Sequence, residues 1–347
     1  MSENKSANLN SEQRYFFVVG NSRSGTTMMG RIIGNHPDAF FFYELHYFEQ
    51  MASSQDFNKL LDEPQAKALL MRLFTVQHDG YFHQGDPKRY QSQAEAVLAT
   101  LPADQRRSIE VYKAFLRYES QFAGKKYPIL HTPQNIFYLR EILQLIPEVR
   151  VVNMLRDPRD VLLSQKRRWR RRFLGNKHIP LQQVLRYWVN YHPITISKLW
   201  NASVRAADVY QSDSRLFQLR FEDLVASPKA NMKTLCNHLG ILYLDGMENV
   251  PQIGSSSGKD HPDQKKIDPN AASRWQKGGL TEAEIFLCQK ICRKNMELHG
   301  YKMEAMRAPV FGLLKAYCTF PLKIFVAFFL NLGRMKNVIE TIKRRLK

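Results

Sequence analysis

Cysteine is scarce: the chain has four in 347 residues, Cys236, Cys288, Cys292 and Cys318. No CxxC or Cys/His spacing joins them, so neither a disulfide framework nor a zinc site is encoded. Cys288 and Cys292 stand on an expected helix and read as buried face residues, in a chain made for a reducing compartment. Met1 to Gln13 is a polar tail, expected to be disordered, and lacks the apolar core of a secretory leader. A cytoplasmic location with peripheral membrane contact is therefore expected. Uninterrupted apolar runs are missing too. A spanning helix needs about 20 apolar residues, and the Phe- and Leu-rich tail from Val310 to Leu332 is interrupted by Lys315, Pro321 and Lys323. Acidic side chains are few, 32 against 51 lysines and arginines, for a net charge of +19. That excess asks for an anionic partner: a multiply charged cofactor, a polyanionic glycan, a membrane surface or nucleic acid.

What is present starts with Arg14 to Glu44. With 44% hydrophobic residues the chain can build a sizeable core, and Tyr15 to Val19 reads as a strand buried on both faces of a parallel sheet. A loop, Gly20 to Thr27, and a helical run from Met28 to Ile33 follow. Strand, glycine-bounded loop and helix together point backbone N–H groups and a helix N-terminus at an anion. Gly20 and Gly25 bracket four residues, as in a nucleotide-binding P-loop, but Thr26 stands where that motif has its lysine. The lysine and Mg²⁺ together hold the phosphates of a nucleoside triphosphate. Here the loop offers Arg23 and hydroxyls at Ser24, Thr26 and Thr27, which suit a phosphate-like anion without a metal. A P-loop kinase or NTPase is the rival reading.

Further strands are expected at Ala39 to Tyr43, Tyr127 to Leu130, Val149 to Leu155 and Leu216 to Leu219. They make an α/β three-layer sandwich around a parallel sheet of about five strands. Ligands of such sheets sit at the carboxyl ends of the strands. That rim receives Glu44, a candidate general base, then His131, then Arg156. Ser164 follows Arg156 by eight residues, two turns into a helix that begins near Pro158. Arginine suits a phosphate because its planar fork meets two oxygens. The same helix is expected to carry Lys166 to Arg172, six cations in seven residues, toward an anionic acceptor or anionic lipid. No nucleic-acid-binding signature accompanies the run, so nucleic acid is not expected as a partner. Glu222 or Asp223 is expected to pair with, or cap, a helix from Pro228. Thr281 caps a last helix to His299, with Glu284 as its capping-box partner. The Ser/Gly/Lys-rich stretch from Gly254 to Trp275 has the composition of a flexible linker.

RSGTT at Arg23–Thr27, followed by a helix and NHPD at Asn35–Asp38, resembles the 5′-phosphosulfate-binding loop of sulfotransferases that use 3′-phosphoadenosine 5′-phosphosulfate (PAPS). These have a P-loop NTPase-like fold, and the tyrosylprotein and bacterial branch is the nearest. RDPRDVLLS at Arg156–Ser164 resembles the family's 3′-phosphate motif, and RFEDL at Arg220–Leu224 its segment after the fifth strand. The resemblance covers roughly Arg14 to Tyr301, and implies a sulfotransferase domain over 14–305. It implies Arg23 on the sulfuryl and bridging oxygens, Ser24, Gly25, Thr26 and Thr27 on the 5′-phosphate, and Arg156 with Ser164 on the 3′-phosphate. Glu44 matches the catalytic-base position. His131 stands where the family commonly has a lysine beside the leaving oxygen; it is read as assisting there or as the base itself. The loop ahead of Trp275 would close over the cofactor with Ser256 and Lys265 or Lys266. The implied reaction is in-line sulfuryl transfer to a hydroxylated acceptor, lipid, glycolipid or glycan, without a metal. A non-catalytic anion- or membrane-binding protein on the same fold is the other rival. The extension over 306–347 lies outside the resemblance. It reads as an interfacial helix with cationic flanks, or as a helix docked on the chain's own domain or on a partner.

Overall fold

The computed structural model describes residues 14–80, 85–256, 258–331 and 338–346; the polar tail of residues 1–13 lies outside them. At its centre is β1 (Tyr15–Gly20), buried throughout. β1 lies between β3 (Tyr127–Leu130) and β4 (Val149–Leu155), and β2 (Ala39–Phe41) and β5 (Leu216–Arg220) are outermost. The order is β2-β3-β1-β4-β5, with every pairing in this sheet parallel. After β1 the chain builds one half of the sheet, then crosses to the other side of β1 for the second. The crevice at the carboxyl ends beside β1 is thus the topological switch point, where such sheets bind ligands.

Side chains alternate across a strand, and β1 serves both faces. Phe16 and Val18 pack on Met29, Ile32 and Ile33 of α1 (Thr26–Gly34), and their cluster includes Leu235 and Leu239 of α10 (Pro228–Leu239). Phe17 and Val19 share the opposite cluster with Leu70 and Phe74 of α2 (Glu63–Asp79), Phe115 of α4 (Ser108–Phe122) and Ile142 of α5 (Leu139–Leu145). Each such side chain contributes about 1.5–3 kcal/mol of burial, which explains a central strand without a polar residue. α3 (Gln91–Ala99) packs on α2 and α4.

A third cluster joins Val161 and Leu162 of α6 (Pro158–Lys166), Trp200 of α8 (Pro193–Asp208), and Cys288, Cys292 and Met296 of α11 (Glu282–Leu298). Both helical cysteines are buried, as expected. The capping box at the start of α11 is formed: Thr281 Oγ1 accepts from Glu284 N–H and Glu284 Oε2 from Thr281 N–H. Glu222, in the first turn of α9 (Phe221–Ala226), accepts from Asp157 N–H at 2.9 Å and from Tyr301 Oη at 3.1 Å. It ties the exit of β4 to the end of the domain rather than capping α10.

Three expectations need correction. β2 ends at Phe41, although Phe42 N–H still bonds Ile129 O. The α-helix ends at Lys166, and Arg168–Leu174 is a 3₁₀ segment; a run of like charges disfavours continuing the α-helix. The apolar tail is not broken at Pro321: α12 (Val310–Asn331) is one helix of 22 residues. It is long and apolar enough to cross a membrane, with a mean hydropathy of 1.7. α12 packs on α7 (Leu181–Asn190) and α11, and α13 (Val338–Leu346) packs on α8.

Candidate active site

The loop after β1 is shaped by close approach. A Cβ on Gly20, at φ 139°, would sit 2.3 Å from Met154 O of β4. One on Gly25, at φ 93°, would strike the Phe221 ring at 2.6 Å. No side chain caps α1 and no acidic residue lies in its first turn. Its N-terminal N–H groups are therefore left for an anion.

Arg23 has a left-handed backbone, φ 77°, uncommon for a side chain of its size. Its guanidinium holds the conformation. Nε donates to Ser164 Oγ at 3.0 Å, and Nη2 to Gly254 O at 2.8 Å and Ser256 Oγ at 3.0 Å. Arg156 leaves the end of β4 and donates to Arg23 O at 3.3 Å and to Ala271 O at 2.7 Å. It lies 4.2 Å over the Phe221 ring and 3.4 Å from Asp160 Oδ2. Asp160 accepts from Trp275 N–H at 2.9 Å, and Arg159 stacks 3.9 Å over the Trp275 indole.

The stretch of linker-like composition is thus fastened at both ends. Within it β7 (His261–Lys265) pairs antiparallel with β6 (Pro251–Gln252), just ahead of it, and the stretch roofs a cavity of about 980 Å³. Ten lysines and arginines line this cavity against four carboxylates.

Of the residues singled out in the sequence, Arg23, Gly25, Thr26, Thr27, Glu44, Arg156, Ser164, Ser256 and Lys266 line the cavity. Ser24 does not: its hydroxyl is buried and has no hydrogen-bond partner among the described residues. Lys265 lies exposed on β7, outside the lining, so of the two lysines Lys266 is the one at the site. His131 is buried behind the wall, with Nδ1 2.9 Å from Phe42 O and its ring stacked on Phe41 at 4.5 Å. The carbonyl requires Nδ1 to carry the proton, which leaves Nε2 as an acceptor. Burial pushes the imidazole down to about 4, against the pull of Glu44, so it is neutral.

Glu44 is on the wall, and His46 Nε2 is 3.5 Å from its Oε2. Burial alone would raise this carboxyl; the hydrogen bond and charge of His46, with His131 and Arg168, overcome it and hold the group at about 2. Behind His46 stands Glu49, 3.9 Å from Nδ1 and paired with Arg345 of α13.

Sequence reasoning missed the inward turn of Arg168 and Arg171. Both line the cavity, because positions i and i+3 superimpose in a 3₁₀ helix. Only that spacing within the basic run could have hinted at it. The Arg23 guanidinium is held well below its ordinary pKa, by burial first and then by Arg171, Arg168 and Arg156. The buried Nε atoms of Arg156, Arg168 and Arg171 have no hydrogen-bond partner among the described residues. A bound polyanion would relieve both the repulsion and the unmet donors. The donor set therefore fits a polyanion.

The family model described as "Sulfotransferase family" matches residues 16–245. Among curated proteins the chain is similar to omega-hydroxy-beta-dihydromenaquinone-9 sulfotransferase Stf3 of Mycobacterium bovis, at 25% identity over 257 residues. The protein of the same name from Mycobacterium tuberculosis matches equally. The match covers 65% of this chain and 62% of theirs, so the chain spans less than two thirds of the length of these relatives. Among solved structures, the sulfotransferase domain from the curacin biosynthetic pathway superimposes with a TM-score of 0.50 at 19% identity, covering 85% of this chain and all of that one.

Proposed function

The chain belongs to the sulfotransferase family, and we propose that it moves the sulfuryl group of PAPS to a hydroxyl of an apolar acceptor carried in a membrane. The observation that carries this reading is the Arg23–Arg156 pair. Two arginines from the ends of adjacent strands are bonded to one another through Arg23 O, and both are tied to the same roof at Gly254, Ser256 and Ala271. In this reading each phosphate end of a bisphosphorylated nucleotide would meet one of the two arginines.

In the proposed reaction the acceptor oxygen forms a bond to sulfur while the bond from sulfur to the bridging oxygen breaks. The hydroxyl proton passes to Glu44, and 3′-phosphoadenosine 5′-phosphate leaves. Arg23 neutralises charge growing on the bridging and sulfuryl oxygens, a stabilisation realised most fully in the transition state. Thr26, Thr27 and the first N–H groups of α1 hold the 5′-phosphate, and Arg156 the 3′-phosphate. Ser164, bonded to Arg23 here, is within reach of both roles. A carboxylate held at about 2 is ionised at any working pH but weakly basic. Glu44 therefore orients the hydroxyl and takes its proton late, once transfer has made it acidic. His131, neutral and behind the wall, takes no part in the proton transfer in this reading. The apolar acceptor is supported by the substrate in the name of the mycobacterial relatives and by the apolar α12.

Calorimetric titration with 3′-phosphoadenosine 5′-phosphate and with ATP, each with and without Mg²⁺, tests this. Metal-independent binding of the bisphosphate is expected. Binding only of Mg²⁺·ATP would replace the reading with a kinase or NTPase, and bisphosphate binding with no transfer to any hydroxylated lipid would leave a non-catalytic anion binder.

A further inference from the structure

α12 is a helix turned inside out. The half-buried residues on the side facing the domain are Gly312, Leu313, Ala316, Phe320, Lys323, Ala327, Leu330 and Asn331; all but Leu313, Phe320 and Leu330 are small or polar. The opposite stripe, Phe311, Leu314, Leu322, Phe325 and Phe329, is apolar and 56 to 89% exposed. A helix that belonged only to a soluble surface would show the reverse.

Beside it α7 points Leu181, Leu185 and Trp188 outward, each at least half exposed. The two helices pack together, so these side chains form one apolar face. Contiguous apolar patches of this kind mark interaction sites.

The mooring of α12 says how it lies. His192 Nε2 bonds Ala316 O at 3.1 Å, Lys323 Nζ bonds Trp188 O at 3.0 Å, and Arg186 Nε bonds Leu330 O at 3.0 Å. Asn331 Nδ2 bonds Asn190 Oδ1 at 2.9 Å. These ties run from the middle of the helix to its end. α12 is therefore held lengthwise against the domain, and crossing a bilayer would break every one of them.

Along the chain, the charge flanking it has one sign. No acidic residue occurs between Glu304 and Glu340, whereas Arg307, Lys315, Lys323, Arg334 and Lys336 do. Lys323 is half-buried at the seam between the two helices, over the Trp188 ring at 4.0 Å and bonded to Trp188 O.

We infer that the outward faces of α7 and α12 form a single docking surface that lies in the plane of an anionic lipid bilayer, with Phe325, Phe329, Leu185 and Trp188 entering the acyl boundary. Cationic flanks around an apolar face are what an interfacial helix requires. The surface also backs directly onto the site. Tyr187, on the inner side of α7, carries Arg168 stacked 4.0 Å above its ring, and Arg168 lines the cavity. Docking would thus bring the cavity to an acceptor in the bilayer, and in that respect the inference rests on the function proposed above. The vesicle measurement and the bisphosphate titration nevertheless fail independently of each other.

The test uses the purified full chain and vesicles of phosphatidylcholine, alone or with phosphatidylglycerol. Sedimentation with the anionic vesicles is expected, weakened by salt and released by alkaline carbonate. Phe325→Ser with Phe329→Ser, and separately Leu185→Ser with Trp188→Ser, should each weaken the association about tenfold or more. Lys315→Gln should weaken it about fivefold. Unchanged binding of 3′-phosphoadenosine 5′-phosphate would show that these variants are folded. No association with either vesicle, or resistance to carbonate extraction as for a spanning helix, would overturn the inference. So would a dimer in solution that the Phe325 and Phe329 substitutions dissociate, since the face would then belong to a second copy.

Discussion

Arg23 Nε donates to Ser164 Oγ at 3.0 Å across 141 residues of chain. The bond locks the loop after β1 to the helix after β4, and with them the two ends of the candidate donor site. Three of the five guanidinium N–H groups of Arg23 are already engaged by Ser164, Gly254 and Ser256. The residue itself lines the cavity.

For Arg23→Ala we expect turnover to fall about 10²–10³-fold, the usual cost of a transition-state donor. Affinity for 3′-phosphoadenosine 5′-phosphate should fall far less. Lysine cannot replace the fork, so Arg23→Lys should behave nearly as badly. Steady-state rates beside calorimetric affinities decide it; an unchanged turnover would remove Arg23 from the chemistry.

Arg156→Ala should weaken the bisphosphate about ten- to hundredfold, the range for a charge-assisted hydrogen bond. Adenosine 5′-phosphate, which lacks the 3′-group, should lose little. Equal losses for both ligands would mean that Arg156 shapes the pocket through Phe221 and Ala271 and does not meet the 3′-phosphate.

The pairing of His46 with Glu44 predicts a pH effect with a definite sign. Burial raises the Glu44 carboxyl and His46 lowers it to about 2. Removing His46 leaves burial without its counterweight, so the carboxyl should rise. The acid limb of kcat/KM, far below neutrality in the natural protein, should then move upward in His46→Asn, a residue that tolerates the left-handed backbone at φ 54°. Stability follows the same logic. The depressed Glu44 contributes above its unfolded value of 4.5 and loses that contribution as pH falls toward about 2. An acid limb unmoved by the substitution would deny His46 its positioning role.

Gly20→Ala places a methyl 2.3 Å from Met154 O at a backbone φ of 139°. Because β1 and β4 are both central, the strands cannot part cheaply. We expect a loss of about 3 kcal/mol or more, seen as a fall of about 6–10 °C in Tm. A wild-type melting curve would show that the sheet yields at this corner.

The sequence by itself determined the elements whose causes are local. Tyr15–Val19 had to be a doubly buried strand because it carries no polar residue. Pro158 and the Thr281–Glu284 box set helix starts by their own backbone chemistry, and Arg156 fell at a strand end because the apolar run of β4 stops there. Only the tertiary structure decided what depends on a neighbour. Arg168 and Arg171 enter the cavity because α6 ends at Lys166, where Glu284 of α11 pairs with it at 2.7 Å. The partnership of Glu44 with His46 needs the left-handed turn at His46, which has no signature in residue order. Of the two loop lysines, only Lys266, just past the end of β7, is in the cavity lining. The tail reads as a broken apolar run because charge and proline are counted along the chain. In three dimensions Lys323 folds back onto Trp188 and Pro321 is held within a helix braced by α7. Local propensity acts within a few residues, whereas a side chain's facing is set by whichever surface it meets, and that surface exists only after folding.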